Sequence, residues 1–356
     1  MSTTPQGASV VIPCYNYGRF VASAIESALA QTHPFRSVIV VDDGSTDNSR
    51  AIIEGYGDRV RSVFKANGGH ASALNAGFEE ADGDVVFLLD ADDELRPEAV
   101  ETVLAAWRPE TVLLQSRPSL MDRDGRDIPG TVPGPWAELD EGDLREPMLR
   151  TGVVHVTVTS GLVFSRDAIE RVLPIPEERF AQGADGYLTR AVAFQGRIQA
   201  LDSSLSRYRR HGENDSELGI TPAQVAQGLR KKLAFDRNEL DTIRAFARQQ
   251  GLDVAADLGE RIPEHLLLRL GSLVADPERH PVPEDTPTGL LRAIFESSRL
   301  TPPGALPRAR MLGLATALVV LPGKLGVRPL AWAFTPASRP RWLSWLLARR
   351  RALRTS

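Results

Sequence analysis

An α/β fold, with a mostly parallel sheet flanked by helices and a C-terminal α-helical appendage, is predicted by three observations. Between residues 8 and 116, short apolar runs alternate with helical stretches, the pattern of parallel strands joined by crossover helices. One of those runs, Val85-Val86-Phe87-Leu88-Leu89, is apolar throughout, as a strand buried on both faces requires, and it ends abruptly in Asp90-Ala91-Asp92-Asp93. From about residue 221 to 298, apolar residues recur at helical spacing between Pro-containing breaks.

The elements follow in order. Strands are predicted at 9–12, 37–41, 60–64, 85–89 and 112–115, and helices at 20–31, 48–54, 71–81 and 98–106. The second helix opens on cap residues Ser45 and Asp47, the fourth on Pro97, which suits a first helical turn. Residues 117–150 are rich in Pro, Gly and charge, and Asp124-Gly125 reads as a hairpin turn in a mobile flap. Strand-like alternation resumes over 153–164, helices are expected at 166–172 and 185–195, and a last strand at 197–201. The expected division is a domain over 1–220, with halves 8–116 and 117–220, a helical appendage over 221–300 and a tail over 301–356.

At 356 residues, 42% hydrophobic and 25% charged, the chain is long enough to bury a sizeable core. Its one cysteine, Cys14, excludes an internal disulfide framework and reads as core. With no charged-then-apolar leader before the first strand, the expected compartment is the cytoplasm. The ten basic residues of 301–356, which include no Asp or Glu, leave 14 net negative charges on residues 1–300 against −4 for the whole chain. The longest apolar run of this tail, 311–321, stops at Pro322-Gly323, short of the roughly 20 residues a spanning helix needs.

Three carboxylates within four residues repel one another unless a cation, donors or water offsets them, and hard oxygen ligands suit Mg²⁺ or Mn²⁺. A strand tip in an open α/β sheet is also where ligands bind. An EF-hand loop starting at Asp90 fails at its sixth position, Leu95, where the sharp turn needs Gly. The turn after the first strand, Pro13-Cys14-Tyr15-Asn16-Tyr17-Gly18, lacks both the dinucleotide glycines and a P-loop lysine. The second strand ends in Asp42-Asp43-Gly44-Ser45-Thr46-Asp47, whose carboxylates could accept bonds from a base or a ribose.

Read together, VIPCYNYG, VVDDGSTDNS, NGGHASALNAG and LLDADDEL stand in the order and spacing of a family 2 glycosyltransferase of the GT-A fold, which residues 8–100 resemble. The resemblance implies transfer, with inversion, of a sugar from a nucleoside-diphosphate sugar, a UDP-sugar above all, to a hydroxyl acceptor on a glycan or lipid carrier, in bacterial glycan or polysaccharide assembly. It implies that Asp43 holds the nucleobase, that Pro13 and Tyr15 line the base pocket, that Asn67 belongs to the donor site and that Asp90 sits near the ribose. Asp92 would ligate Mg²⁺ or Mn²⁺, with Asp93 a third carboxylate. Further along, Tyr208-Arg209-Arg210-His211 with Asn214 and Ser216 matches a second motif, which brings His211 to the metal or diphosphate. Asp185 aligns with the catalytic base, although Ala184 stands where the family carries Glu. That departure keeps a second reading open, a catalytically silent sugar-nucleotide-binding scaffold; a third is a metal-dependent phosphatase with Asp90 as nucleophile.

The tail's Trp342-Leu343-Ser344-Trp345-Leu346-Leu347-Ala348-Arg349-Arg350-Arg351 suits an anionic membrane surface, and equally a helix packed on the protein with exposed arginines. Nucleic acid is not expected as a partner, because basic residues are not interleaved with stacking aromatics.

Overall fold

The computed structural model describes residues 5–135, 137–211, 222–255, 257–259, 262–300, 305–321 and 328–329. The chain divides into two compact units, residues 1–211 with 241–254, and residues 212–240 with 255–356.

The first unit opens with β1 (Ala8–Cys14), α1 (Val21–Leu29), β2 (Ser37–Asp42), α2 (Ser49–Glu54), β3 (Arg61–Phe64), α3 (His70–Glu79), β4 (Val85–Leu88), β5 (Glu94–Leu95) and α4 (Ala99–Ala106). It continues with β6 (Thr111–Ser116), β7 (Ser119–Met121), β8 (Asp127–Thr131), α5 (Arg145–Thr151), β9 (Leu162–Ser165), α6 (Arg166–Glu170), α7 (Ala184–Ala193), β10 (Arg197–Leu201) and β11 (Ser206–Arg209). Seven strands form one sheet in the order β10-β6-β9-β4-β1-β2-β3. Here β1 lies between β2 and β4, parallel to both, so strand order reverses beside β1 and the carboxyl ends of β4, β1 and β2 border one crevice. Every residue of β2 and β4 is buried, as the apolar run of β4 and the apolar centre of β2 require.

Helix α1 turns Val21, Ala24, Ile25 and Ala28 to the core at helical spacing. Helix α3 approaches β1 so closely that a Cβ on Gly77 would stand 2.3 Å from Val11 Cγ1, which is why this position is glycine.

Two expected strands come out differently. Of the alternation over 153–164, only its end pairs, because β9 is inserted antiparallel between β4 and β6 and draws its register from both. β10 is not the last strand: β11 follows and builds a second sheet, β5-β11-β7-β8. The hairpin expected at Asp124-Gly125 joins β7 to β8.

The second unit has its own core. The helices are α8 (Pro222–Gln249), whose end belongs to the first unit, α9 (Pro263–Ala275), α10 (Pro287–Leu300) and α11 (Ala305–Val320). Leu229, Leu270, Ile294 and Ala315 meet at its centre. The apolar run of the tail supplies Met311 and Leu318 to this core. Among the described residues no helix is long and apolar enough to cross a membrane. The Trp342 to Arg351 segment lies outside the described residues, as does residue 256.

Candidate active site

The carboxylates after β4 converge. Asp90, Asp92 and Asp93 each place an oxygen so that all three lie within 4.8 Å of one another. Ligand distances of about 2.0–2.6 Å for Mg²⁺ or Ca²⁺ put the oxygens around one ion at such separations. Asp93 is 1% exposed, and its Oδ2 is buried with no hydrogen-bond partner among the described residues. Burial, then the charges of Asp92 and Asp90, push its carboxyl well above the usual carboxylate range, while Ser160 and the Arg209 amide oppose the rise. A buried carboxylate with an oxygen left without a donor, beside two like charges, is a donor set a hard divalent cation would satisfy.

The second sheet holds this turn in place. β11 runs antiparallel to β5, the two residues that follow the carboxylates, with Ser206 opposite Leu95 and Arg207 opposite Glu94. Arg209 then donates from its backbone N–H to Asp93 Oδ1 at 2.8 Å, from Nε to the Asp92 carbonyl at 2.7 Å and from Nη2 to Glu94 Oε1 at 2.6 Å. Its side chain is 4% exposed and lies 5.0 Å over the Phe20 ring. Two residues on, the fully buried His211 side chain brings Nε2 to 2.8 Å from Asp92 Oδ2, its ring 5.1 Å from Phe20. The pairing therefore explains how His211 meets Asp92 across 119 positions of chain. From below, Asp90 donates its N–H to Ser160 Oγ at 3.0 Å, and Ser206 donates its hydroxyl to the Ser160 carbonyl.

The turns after β1 and β2 are stitched together. Asn16, in a left-handed conformation, accepts at Oδ1 from the Thr46 and Asp47 amides, and Asp47 accepts from the Gly18 amide at 2.9 Å. Asp43, buried beside them, takes Lys65 Nζ at 2.7 Å and the Gly68 and Gly69 amides at 3.0 and 2.7 Å. Those three donors fill three of the carboxylate's about four lone-pair sites. Pro13 is half-buried at the end of β1, and Tyr15 (46% exposed) and Asn67 stand at the surface. Cys14, whose thiol burial pushes up to about 11, is packed in the core and unsuited to nucleophilic work.

Asp185 sits in the first turn of α7, half-buried. The segment leading to it is pinned on α3: Asn75 exchanges hydrogen bonds with the Ile175 backbone at 2.8 and 3.0 Å, and the His70 amide donates to the Ala181 carbonyl at 2.8 Å.

Residues 9–173 match the model of glycosyl transferase family 2. Over 228 residues, 62% of this chain and 70% of the relative, the chain is 38% identical to an uncharacterized glycosyltransferase of Nostoc sp.. The chain belongs to glycosyl transferase family 2. Other family relatives align over less: an uncharacterized glycosyltransferase of Rickettsia bellii is 34% identical over 152 residues, which span 41% of this chain and 22% of that protein. Among solved structures, S. aureus TarS 1-349 in complex with UDP-GlcNAc superposes with a TM-score of 0.51 at 18% identity, covering 94% of this chain and 93% of TarS 1-349. The seven-stranded sheet flanked by helices is thus the GT-A fold of a glycosyltransferase.

Four residues that hold this cluster and the Asp43 loop were not singled out from the sequence. Lys65 and Ser160 reach it through the fold alone, and Glu94 reads as the continuation of the acidic turn. Arg209 lies inside the motif that singled out His211, and that motif was the available clue.

Proposed function

We propose that the chain is an inverting glycosyltransferase that moves a sugar from a nucleoside-diphosphate sugar, a UDP-sugar first, to a hydroxyl acceptor on a glycan or lipid carrier. The observation that supports it most is the convergence of Asp90, Asp92, Asp93 and His211 after β4, whose tip lies on the same carboxyl edge of the sheet as the end of β2 and its Asp43. Asp43, Pro13, Tyr15 and Asn67 are assigned to the donor's nucleoside, and Asp90 to its ribose and the edge of the cation site. Asp92, with His211 and Asp93, would hold Mg²⁺ or Mn²⁺. Such a cation, when bound, stabilises negative charge on the departing diphosphate.

Asp185 is assigned as the general base. It takes the acceptor hydroxyl's proton while that oxygen forms a bond to the anomeric carbon, and the bond to the diphosphate breaks with its electron pair leaving on the nucleotide. Attack opposite the leaving group inverts the anomeric centre. The tail adds a proposed contact with anionic lipid, which would bring the enzyme to a lipid-linked acceptor at the inner face of the plasma membrane.

A thermal-shift screen of UDP, GDP, TDP and CDP sugars with Mn²⁺ tests the donor assignment, since a ligand that binds only the native state raises Tm. The reading expects the largest rise with UDP-sugars, and no rise with any of them contradicts it. Donor bound without turnover by both the natural protein and Ala184→Glu would favour the silent scaffold instead.

A further inference from the structure

We infer that His70 is a positioning residue that fixes the start of α7, and through it the Asp185 carboxylate; this rests on the assignment of Asp185 as base. The first amides of a helix have no partner within it, and a buried one must find an acceptor elsewhere. At the start of α7, Ala184 is fully buried, so water does not serve it. Its N–H donates to Nδ1 of His70 at 3.2 Å, across 114 positions of chain. The preceding residue, Gly183, is in a left-handed conformation (φ 71°) with no side chain to cap the helix.

His70 is itself held at both sides. Its own amide donates to the Ala181 carbonyl at 2.8 Å, and the next amide, of Ala71, donates to the Phe180 carbonyl at 3.2 Å. The residue before it, Gly69, donates to Asp43 Oδ2 at 2.7 Å. A continuous set of hydrogen bonds therefore joins the loop assigned to the nucleobase to the turn that carries Asp185. Accepting at Nδ1 requires the neutral ring with its proton on Nε2. Ala184 contributes its backbone donor to this link and a side chain small enough to bury.

An Asn side chain can place an acceptor oxygen near the position of Nδ1, whereas Gln places it near Nε2, so His70→Asn, His70→Gln and His70→Ala separate the bond from mere bulk. Amide hydrogen exchange of the segment 181–187 reads the bond without any turnover. It is expected to quicken about tenfold in His70→Ala and His70→Gln and to stay near the natural rate in His70→Asn. UDP release from UDP-GlcNAc with Mn²⁺ should fall about tenfold or more in kcat for the first two, with UDP affinity by calorimetry within about twofold and partial recovery in His70→Asn. Unchanged exchange in His70→Ala, or equal losses in all three variants, overturns the inference. Faster exchange together with a fully active Asp185→Asn enzyme leaves the link standing and removes the base assignment instead.

Discussion

At the scale of the residue, proton transfer is assigned to one carboxylate, Asp185, and cation binding to the cluster after β4. Asp185→Asn keeps the shape of the side chain but cannot take a proton, so transfer should fall by about 10²-fold or more while UDP affinity is retained, as initial rates and calorimetry would show. The carboxylate cluster was legible in the sequence because an apolar run that stops at three acids has few physical explanations. What the run could not disclose is the unpaired, buried Oδ2 of Asp93, which depends on Ser160 and Arg209 arriving from elsewhere. Nor could spacing reveal Lys65 on Asp43, a pairing made by neighbouring strand tips.

At the scale of the element, the site depends on β11 pairing with β5 and on α3 gripping the chain before α7. Arg209 is the buried clasp of the first contact, so Arg209→Ala should leave Glu94 and the Asp92 carbonyl short of a donor. The expected loss is about 3 kcal/mol in urea unfolding, with weaker Mn²⁺ binding alongside. For the second, Asn75→Ala strips partners from the Ile175 amide and carbonyl and should cost about 1–3 kcal/mol. Gly44 sits in the loop that meets the Asn67 backbone: its φ of 74° and a virtual Cβ 2.6 Å from the Asn67 nitrogen make Gly44→Ala destabilising, by about 1 kcal/mol or more, together with weaker UDP binding. The parallel strands and their helices were readable, since each announces its own burial through its own residues. The strand expected over 153–164 is confined to Leu162–Ser165, because its length is set by what β4 and β6 leave to pair with.

For the whole molecule, each of the two units has its own hydrophobic core. In the helical unit, burial alone would raise the Asp285 carboxyl, but hydrogen bonds from Arg269 and His280 outweigh it and hold the group below the usual range. A folded pKa lower than the unfolded one means stabilisation that is present above about pH 4 and is lost as pH falls through the lower folded value. The urea midpoint of the natural protein should therefore drop between pH 5 and pH 3 by more than that of Asp285→Asn, which has no such charge to lose. The charge asymmetry between tail and body was visible in composition, whereas the packing of the tail's apolar run into the helical core was not, since composition does not say what an apolar face meets. The central claim, that strand-tip carboxylates grip a cation and through it a nucleoside diphosphate, is tested most directly by calorimetric titration of UDP into the natural protein and Asp92→Ala, each with and without Mn²⁺. Strong UDP binding is expected only in the natural protein with Mn²⁺ present; equal UDP affinity in all four titrations would contradict that claim.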